Sequence, residues 1–474
     1  MSRALPPATP LDPSATRTPR VPRTPRVPRV PAALADLFTR RWFALWGVLL
    51  AMLAIGGRGF AYVGLPPLFV SEITLALGVA VFLLQPRWRQ TLTQPTALLI
   101  VALMALGLAR TAPYLGTYRL DAVRDYMLVG YAATALIVAA VVMSRPDLLA
   151  AALRRYRTFA KAFLLVMPVL WLLFQAAGDA MPTWPWADNI GVVELKPGDA
   201  AVHVGAVAAF AVLGFFRGRS LLWIALLCLL VGITGAVTRA GLVSFALAFG
   251  VAFALRPRSR WATRVVVVMA TLVAFAALTD VRIDVHDRAR EFSARQLLLN
   301  VTSTFASADG TGDLDATKTW RLEWWEKVWG YTVDGPHRWA GKGFGLNLAT
   351  DDGFQVFNDG SLRSPHNAHF NVLARTGLPG LALWVAVNAA FLYAVANGYF
   401  RARQRRENTW AMFFAFLLAY YAALTFNASF DVFFEGPMGG VWFWSVVGLG
   451  FAAAWVFEHH PEALHDPDLT PREG

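Results

Sequence analysis

The chain has 474 residues, 56% hydrophobic and 16% charged, with a mean hydropathy of +0.46. A soluble protein carries about a quarter charged residues, so a soluble enzyme and a disordered chain are both excluded. The net charge of +12 does not indicate nucleic acid, because the basic residues lie between apolar blocks, where they act as topology signals.

Residues 1–40 read as a tail. Thr16 to Pro31 is TRTPRVPRTPRVPRVP, a Pro/Arg repeat that builds no core and is expected to be extended, disordered and cytoplasmic. Binding to anionic lipid or a partner is the other reading of its arginines. No cleavage site follows the first apolar run, so the tail is not a secretory signal. Apolar blocks then recur near 42–57, 66–84, 96–110, 124–143, 159–178, 201–216, 220–237, 240–255, 262–279, 378–398, 409–426 and 438–457. They predict an all-α, polytopic membrane protein with about 12 transmembrane helices, nine in 41–279 and three in 377–457. A short cytoplasmic tail over 458–474 closes the chain. The single cysteine, Cys228, lies in an apolar run, which excludes an intramolecular disulfide and a cysteine-based metal site.

Alternate connections carry the basic residues. These are Arg87 and Arg89; Arg145, Arg154, Arg155 and Arg157; Arg217 and Arg219; Arg256, Arg258, Arg260 and Arg264; and Arg401, Arg403, Arg405 and Arg406. The positive-inside rule makes that side, and both termini, cytoplasmic. Residues 280–376 then fall on the outer side. A connection that long is usually functional and is expected to hold short helices packed over the membrane domain. Helix interiors nearly lack ionisable groups, with Lys161, Glu72 and His203 near helix ends. That scarcity argues against an ion-coupled pump.

Polar chemistry gathers on the outer side in three places. In the first, Ser364 is expected to cap a short helix with Pro365 in its first turn, and Gly377 to end it with Pro379 beyond. His366 would lie in the first turn, kept neutral and able to accept a proton, with His369 one turn on. Capping and packing histidines are the bland reading. Zinc is a third reading, but there is no His-Glu-x-x-His spacing and no evident third ligand. The second place is Trp320 to Trp329, WRLEWWEKVW, which predicts an amphipathic helix on the membrane surface with a tryptophan belt. Arg321 on it is either a solvated charge or a phosphate ligand. Gly341-Lys342-Gly343-Phe344-Gly345 permits a tight loop near a ligand without being a Walker sequence. The third place is Thr238-Arg239-Ala240-Gly241, an outer hairpin. Its Arg239 either snorkels to lipid headgroups or faces an anionic lipid substrate. Arg124, at the outer start of the fourth helix, has the same two readings.

Together these features resemble the O-antigen ligase and polymerase family of polytopic membrane glycosyltransferases. The resemblance lies in the helix number, the large late outer loop and four motif pieces. An Arg follows a mid-chain helix (Arg239), and an Arg-x-x-Trp-like helix opens the loop (Arg321, Trp324). A Gly-x-Gly stretch follows (Gly343, Gly345), then a His-Asn element before a Gly-rich start to the next helix (His366, Asn367, Gly377, Gly380). The basic tail is no part of the pattern, and His369 stands where an aromatic or aliphatic residue is common.

The resemblance implies transfer of a glycan from undecaprenyl pyrophosphate to an acceptor hydroxyl on a glycan, lipid A-core or protein. The reaction would run at the periplasmic face of the bacterial inner membrane, among membrane lipids and without nucleic acid. Its donor is already activated, so no cofactor and no metal are expected. Arg239 and Arg321 would hold the pyrophosphate and His366 would serve as base, supported by Asn367, His369, Trp324 and Arg124. Single displacement would invert the anomeric carbon, and no carboxylate pair suggests a glycosidase-like scheme. The alternatives are a polymerase or protein O-glycosyltransferase of the same family, a lipid or polysaccharide transporter, and a non-catalytic scaffold. Another polytopic glycosyltransferase class uses an acidic motif in its first outer loop. It is disfavoured because Gly56 to Pro67 contains no Asp or Glu.

Overall fold

The computed structural model describes residues 31–177, 180–218, 221–279, 282–284, 291–293, 312–356 and 360–471. The Pro/Arg repeat and most of 280–311 lie outside the described residues. The helices are α1 (Ala32–Ala61), α2 (Val70–Leu84), α3 (Trp88–Leu92), α4 (Pro95–Thr111), α5 (Leu115–Tyr118) and α6 (Leu120–Gly130). Then come α7 (Ala133–Ser144), α8 (Asp147–Ala177), α9 (Pro197–Val212), α10 (Leu221–Val237), α11 (Arg239–Leu255) and α12 (Arg260–Thr279). The last are α13 (Gly312–Thr332), α14 (Leu348–Asp352), α15 (Ala368–Gln404), α16 (Asn408–Ala428) and α17 (Pro437–His459). A helix occupies every apolar block of the sequence, and among the described residues strands are confined to three small antiparallel hairpins.

Among the described residues, six helices are long and apolar enough to cross a membrane: α1, α8, α15, α16, α17 and the stretch Pro95–Tyr118. The pair α6 and α7, bent by 41°, would make a seventh, and α2, α9, α10 and α11 are shorter apolar helices. Leucines and valines such as Val169, Leu172 and Leu173 on α8 remain exposed on the bundle's outside, a surface suited to lipid. Inside, small residues let helices approach closely. A Cβ on Gly205 of α9 would lie 3.1 Å from the Ala248 Cβ of α11, and one on Gly448 of α17 only 2.5 Å from the Ala135 carbonyl of α7.

Two helices start earlier than the hydropathy suggests. Residues 32–40 belong to α1, since Ala-Ala-Leu-Ala after Pro31 favours helix. Helix α8 begins at Asp147 and carries Arg154, Arg155 and Arg157 on its first turns.

The arginine-rich connections meet at one end of the bundle, where acids receive them. Arg40 pairs with Asp147 at 2.9 Å and Arg145 with Asp36 at 2.5 Å. Arg405 pairs with Glu458 at 2.8 Å, and Arg154 with Asp466. Arg157 and Arg217 both donate to the Asp468 carbonyl, at 2.7 and 2.5 Å. The C-terminal segment is thereby strapped across this end.

The opposite end holds the hairpin strands Thr183–Trp184 and Ala187–Gly191, the α10–α11 corner and the segment 312–367. This segment has its own core of Trp324, Val328, Leu348, Ala349, Leu362, Leu373 and Ala374. Helix α13 is therefore not an amphipathic helix with a tryptophan belt facing the membrane. Trp324 is fully buried, donates from Nε1 to the Asp352 carboxylate at 2.8 Å and stacks on Phe354. Trp325 donates to the Pro365 carbonyl at 2.8 Å and stacks on Phe370. Of the expected belt, Trp329 stays half exposed.

Candidate functional site

The His-Asn element is built differently from the helix expected there. Helix α15 starts at Ala368, and its N-cap is Asn367, whose Oδ1 accepts from the His369 and Phe370 amides at 2.9 and 3.2 Å. Ser364 is not the cap, because its hydroxyl is taken by Glu435, donating to Oε1 at 2.6 Å. His366 is therefore not in a first helical turn. It stands just ahead of the helix in the left-handed region, at φ +51°, a conformation that non-glycine residues adopt rarely. Gly377 does break the helix, at φ +67°. A Cβ there would lie 2.5 Å from the Arg338 carbonyl, so only glycine fits.

His366 faces a carboxylate from the α16–α17 connection. Its Nδ1 lies 3.9 Å from Oδ1 of Asp431, and the Lys196 ammonium lies 3.8 Å from that same oxygen. The Val432 amide donates to it at 2.7 Å, and the edge of Trp320 borders the imidazole. Burial pulls the His366 imidazole down to about 4, against the opposing pull of Asp431, so it is neutral at pH 7. Burial alone would raise Asp431, but Lys196, then His366 and further neighbours outweigh it and hold the carboxyl below its ordinary value. Lys196 is raised in turn, chiefly by Asp431.

Arg321 comes from α13 and Arg239 from the first turn of α11. Burial lowers Arg321, and Arg239 is near enough for its charge to add to that effect. Nε of Arg321 is buried with no hydrogen-bond partner among the described residues. Thr238 caps α11, its hydroxyl oxygen accepting from the Gly241 amide at 3.3 Å. The first turn of α9 adjoins it, since a Cβ on Gly198 would lie 3.9 Å from the Thr238 Oγ1. The positive dipole ends of two helices thus join the cations, although the first turn of α9 also carries the buried Asp199.

The fold brings together His366, Arg239 and Arg321 of the expected set. Sequence reasoning missed Lys196 and Asp431. Both are charged residues in short connections at the outer end of the bundle, and a survey of those connections would have found them.

The other expected residues have different surroundings. His369 accepts from the Trp384 indole at Nδ1 (2.9 Å), so its proton sits on Nε2, facing the Ser429 hydroxyl at 3.1 Å. Both nitrogens are engaged in packing hydrogen bonds. Trp324 belongs to the loop core described above. Arg124 pairs with Asp121 at 3.2 Å and Asp125 at 3.5 Å. Asp125 in turn receives Arg363 and Arg375 at 2.9 and 3.0 Å. This ionic lattice holds the loop 342–346, whose glycines lie against tyrosine rings. A Cβ on Gly343 would lie 2.1 Å from Tyr114, and one on Gly345 2.7 Å from Tyr118. Glu435, pushed up to about 7 by burial, accepts from Ser364 and from Asn371 Nδ2 at 2.7 Å. It ties the His366 segment to the α16–α17 connection. No three His, Cys, Asp or Glu side chains cluster as metal ligands among the described residues.

Residues 224–385 match the family model described as O-antigen ligase. This match supports membership of the O-antigen ligase and polymerase family. Members of this family are O-antigen ligases or polymerases of glycosyltransferase type, which makes the chain a membrane protein of polysaccharide biosynthesis. The matched span contains Arg239, Arg321 and His366 and ends before Asp431. A search of curated proteins finds no match to the chain.

Proposed function

We propose that this O-antigen ligase-family protein transfers a glycan from undecaprenyl pyrophosphate to an acceptor hydroxyl. The reaction runs at the periplasmic face of the bacterial inner membrane, in a chain with about twelve transmembrane helices. The observation that carries this reading is a neutral imidazole and two arginines at one half-buried place, His366 beside Asp431 with Arg321 and Arg239. A neutral histidine can take a proton, and guanidinium groups suit a pyrophosphate leaving group.

The acceptor oxygen attacks the anomeric carbon and the bond from that carbon to the phosphate oxygen breaks. The electron pair leaves with the pyrophosphate, where Arg321 and Arg239 stabilise it. The acceptor's proton passes to Nε2 of His366. Asp431 accepts the Nδ1–H and so fixes the tautomer, at a distance that closes from 3.9 Å as the complex tightens. One displacement inverts the anomeric centre. The donor is activated in advance, so the scheme needs no metal and no cofactor.

The test is transfer from purified lipid-linked glycan to its acceptor in detergent, with chelator present. His366→Ala should lose roughly 10²–10⁴-fold in rate. Arg239→Lys and Arg321→Lys keep the charge but lose the planar fork, and should impair transfer while leaving folded protein in the membrane. Normal transfer by both Arg→Ala variants would remove the pyrophosphate role. Deleting the gene separates ligase, polymerase and protein O-glycosyltransferase through loss of lipid A-core attachment, of polymer length or of protein glycosylation. Glycan movement without new linkage would favour a transporter.

A further inference from the structure

We propose that Lys196 is a third cation of the pyrophosphate site and that it changes partner, from Asp431 to phosphate, when the donor binds. The inference rests on the glycosyl-transfer reading above and adds a residue and an order of events to it.

The geometry centres on one oxygen. Oδ1 of Asp431 lies 3.8 Å from the Lys196 ammonium and 3.9 Å from Nδ1 of His366. Both distances exceed a hydrogen bond, so the two groups compete for an acceptor that neither holds. The backbone at Lys196 is anchored. Two residues earlier, Glu194 pairs with Arg58 at 3.0 Å, and its carbonyl accepts from the Arg58 amide at 3.1 Å. Beyond Lys196, α9 begins at Pro197. The four-carbon side chain, partly exposed, is the part free to swing.

The charges around Lys196 hold it as an ammonium. The groups acting on it are Asp431, Asp199, Arg58 and Glu194, and Arg58 and Glu194 neutralise one another. Lys196 and Arg321 both act on Asp431 and on His366, so two cations flank that carboxylate, and Arg239 lies near Arg321. A pyrophosphate diester carries a negative charge on each phosphate and offers such cations further acceptor oxygens. As Lys196 turns to a phosphate oxygen, Oδ1 of Asp431 is released to the Nδ1–H of His366. The base is thereby oriented only when the leaving group is seated.

The experiment uses the full chain in nanodiscs with undecaprenyl pyrophosphate as the probe and undecaprenol as its uncharged counterpart. Amine-reactive labelling of Lys196, read by mass spectrometry, should slow by about tenfold or more with the pyrophosphate lipid and not with undecaprenol. Lys196→Gln should weaken binding of the pyrophosphate lipid roughly tenfold to a hundredfold, the usual range for one charged hydrogen bond, and Lys196→Arg should weaken it less. Unchanged labelling while the wild type binds the probe, equal protection by undecaprenol, or wild-type affinity in Lys196→Gln would overturn the role of Lys196 alone. The labelling arm needs no variant and so survives a Lys196→Gln protein that does not fold. No binding of undecaprenyl pyrophosphate by the wild type would bring down the donor reading and this inference with it.

Discussion

His366 is held at a positive φ outside its helix, and this changes what makes it neutral. Its proton affinity is set by burial first, with Arg321 and Lys196 adding to the effect and Asp431 opposing it. The folded value of about 4 lies below the ordinary imidazole value, so the neutral form persists until pH falls through about 4. The acid limb of kcat/KM, which reports the free enzyme, should therefore lie near 4. The acid limb of kcat should lie higher, because the bound pyrophosphate adds negative charge beside the imidazole. A kcat/KM limb near the ordinary histidine value would show that the imidazole is solvated and unassisted. Glu435 has the opposite shift. Its raised value means that the fold favours the protonated acid, so this contribution is present at low pH and is lost as pH rises through about 7. Glu435→Gln imitates the protonated form, and thermal unfolding should show its stability improving relative to wild type between pH 5 and pH 8. A constant difference across that range would mean that Glu435 does not titrate there. At His369 both ring nitrogens are bonded, so His369→Ala should cost about 1–3 kcal/mol of stability and less rate than His366→Ala.

At the level of elements, α13 is a clamp. It inserts Trp324 into the small core of the outer segment, places Trp325 on the Pro365 carbonyl and presents Arg321 to the site. One helix thus supplies packing, loop anchorage and a cation. Trp324→Ala should destabilise this segment by about 3–5 kcal/mol, the cost of emptying a tryptophan site in a core. The readout is faster limited proteolysis within 312–367 with the membrane helices intact. Equal protease resistance would mean that the segment does not depend on this core. The α15 start is a second such element. Asn367 closes the helix end with two hydrogen bonds, and Asn367→Ala should cost about 1 kcal/mol while loosening the backbone that holds His366.

Across the whole molecule the two ends of the bundle are chemically distinct. One end gathers arginines onto Asp36, Asp147, Glu458 and the C-terminal strap. The other gathers the N-termini of α9, α11 and α15, the outer segment and the candidate site. With the arginine-rich end cytoplasmic, a reporter fused at residue 335 should be active only as a periplasmic reporter. Cytoplasmic activity there would invert the chain and move the site to the other face of the membrane.

The apolar blocks by themselves determined that the chain is helical and made for a membrane, because burial of backbone polar groups in lipid leaves few other solutions. The glycine break at Gly377 was legible for a similar reason: a residue followed by Leu-Pro-Gly at the end of an apolar run has few backbone options. The arginine spacing marked which connections share an end, since every crossing reverses direction. Arg239, Arg321 and His366 were legible because charges and histidines are scarce in such a chain and each sits in a recognisable local pattern. Only the tertiary structure decided the rest. Lys196 and Asp431 lie 235 residues apart (431 − 196) and acquire meaning only when two connections meet over His366. Ser364 and Asn367 are equally good caps by composition, and what separates them is Glu435, which takes the Ser364 hydroxyl. Trp324 and Trp329 are the same residue type on one helix, and the neighbours that α13 found, not its own sequence, buried the first and exposed the second. Local pattern fixes what a short segment can do; contacts between distant segments select what it does.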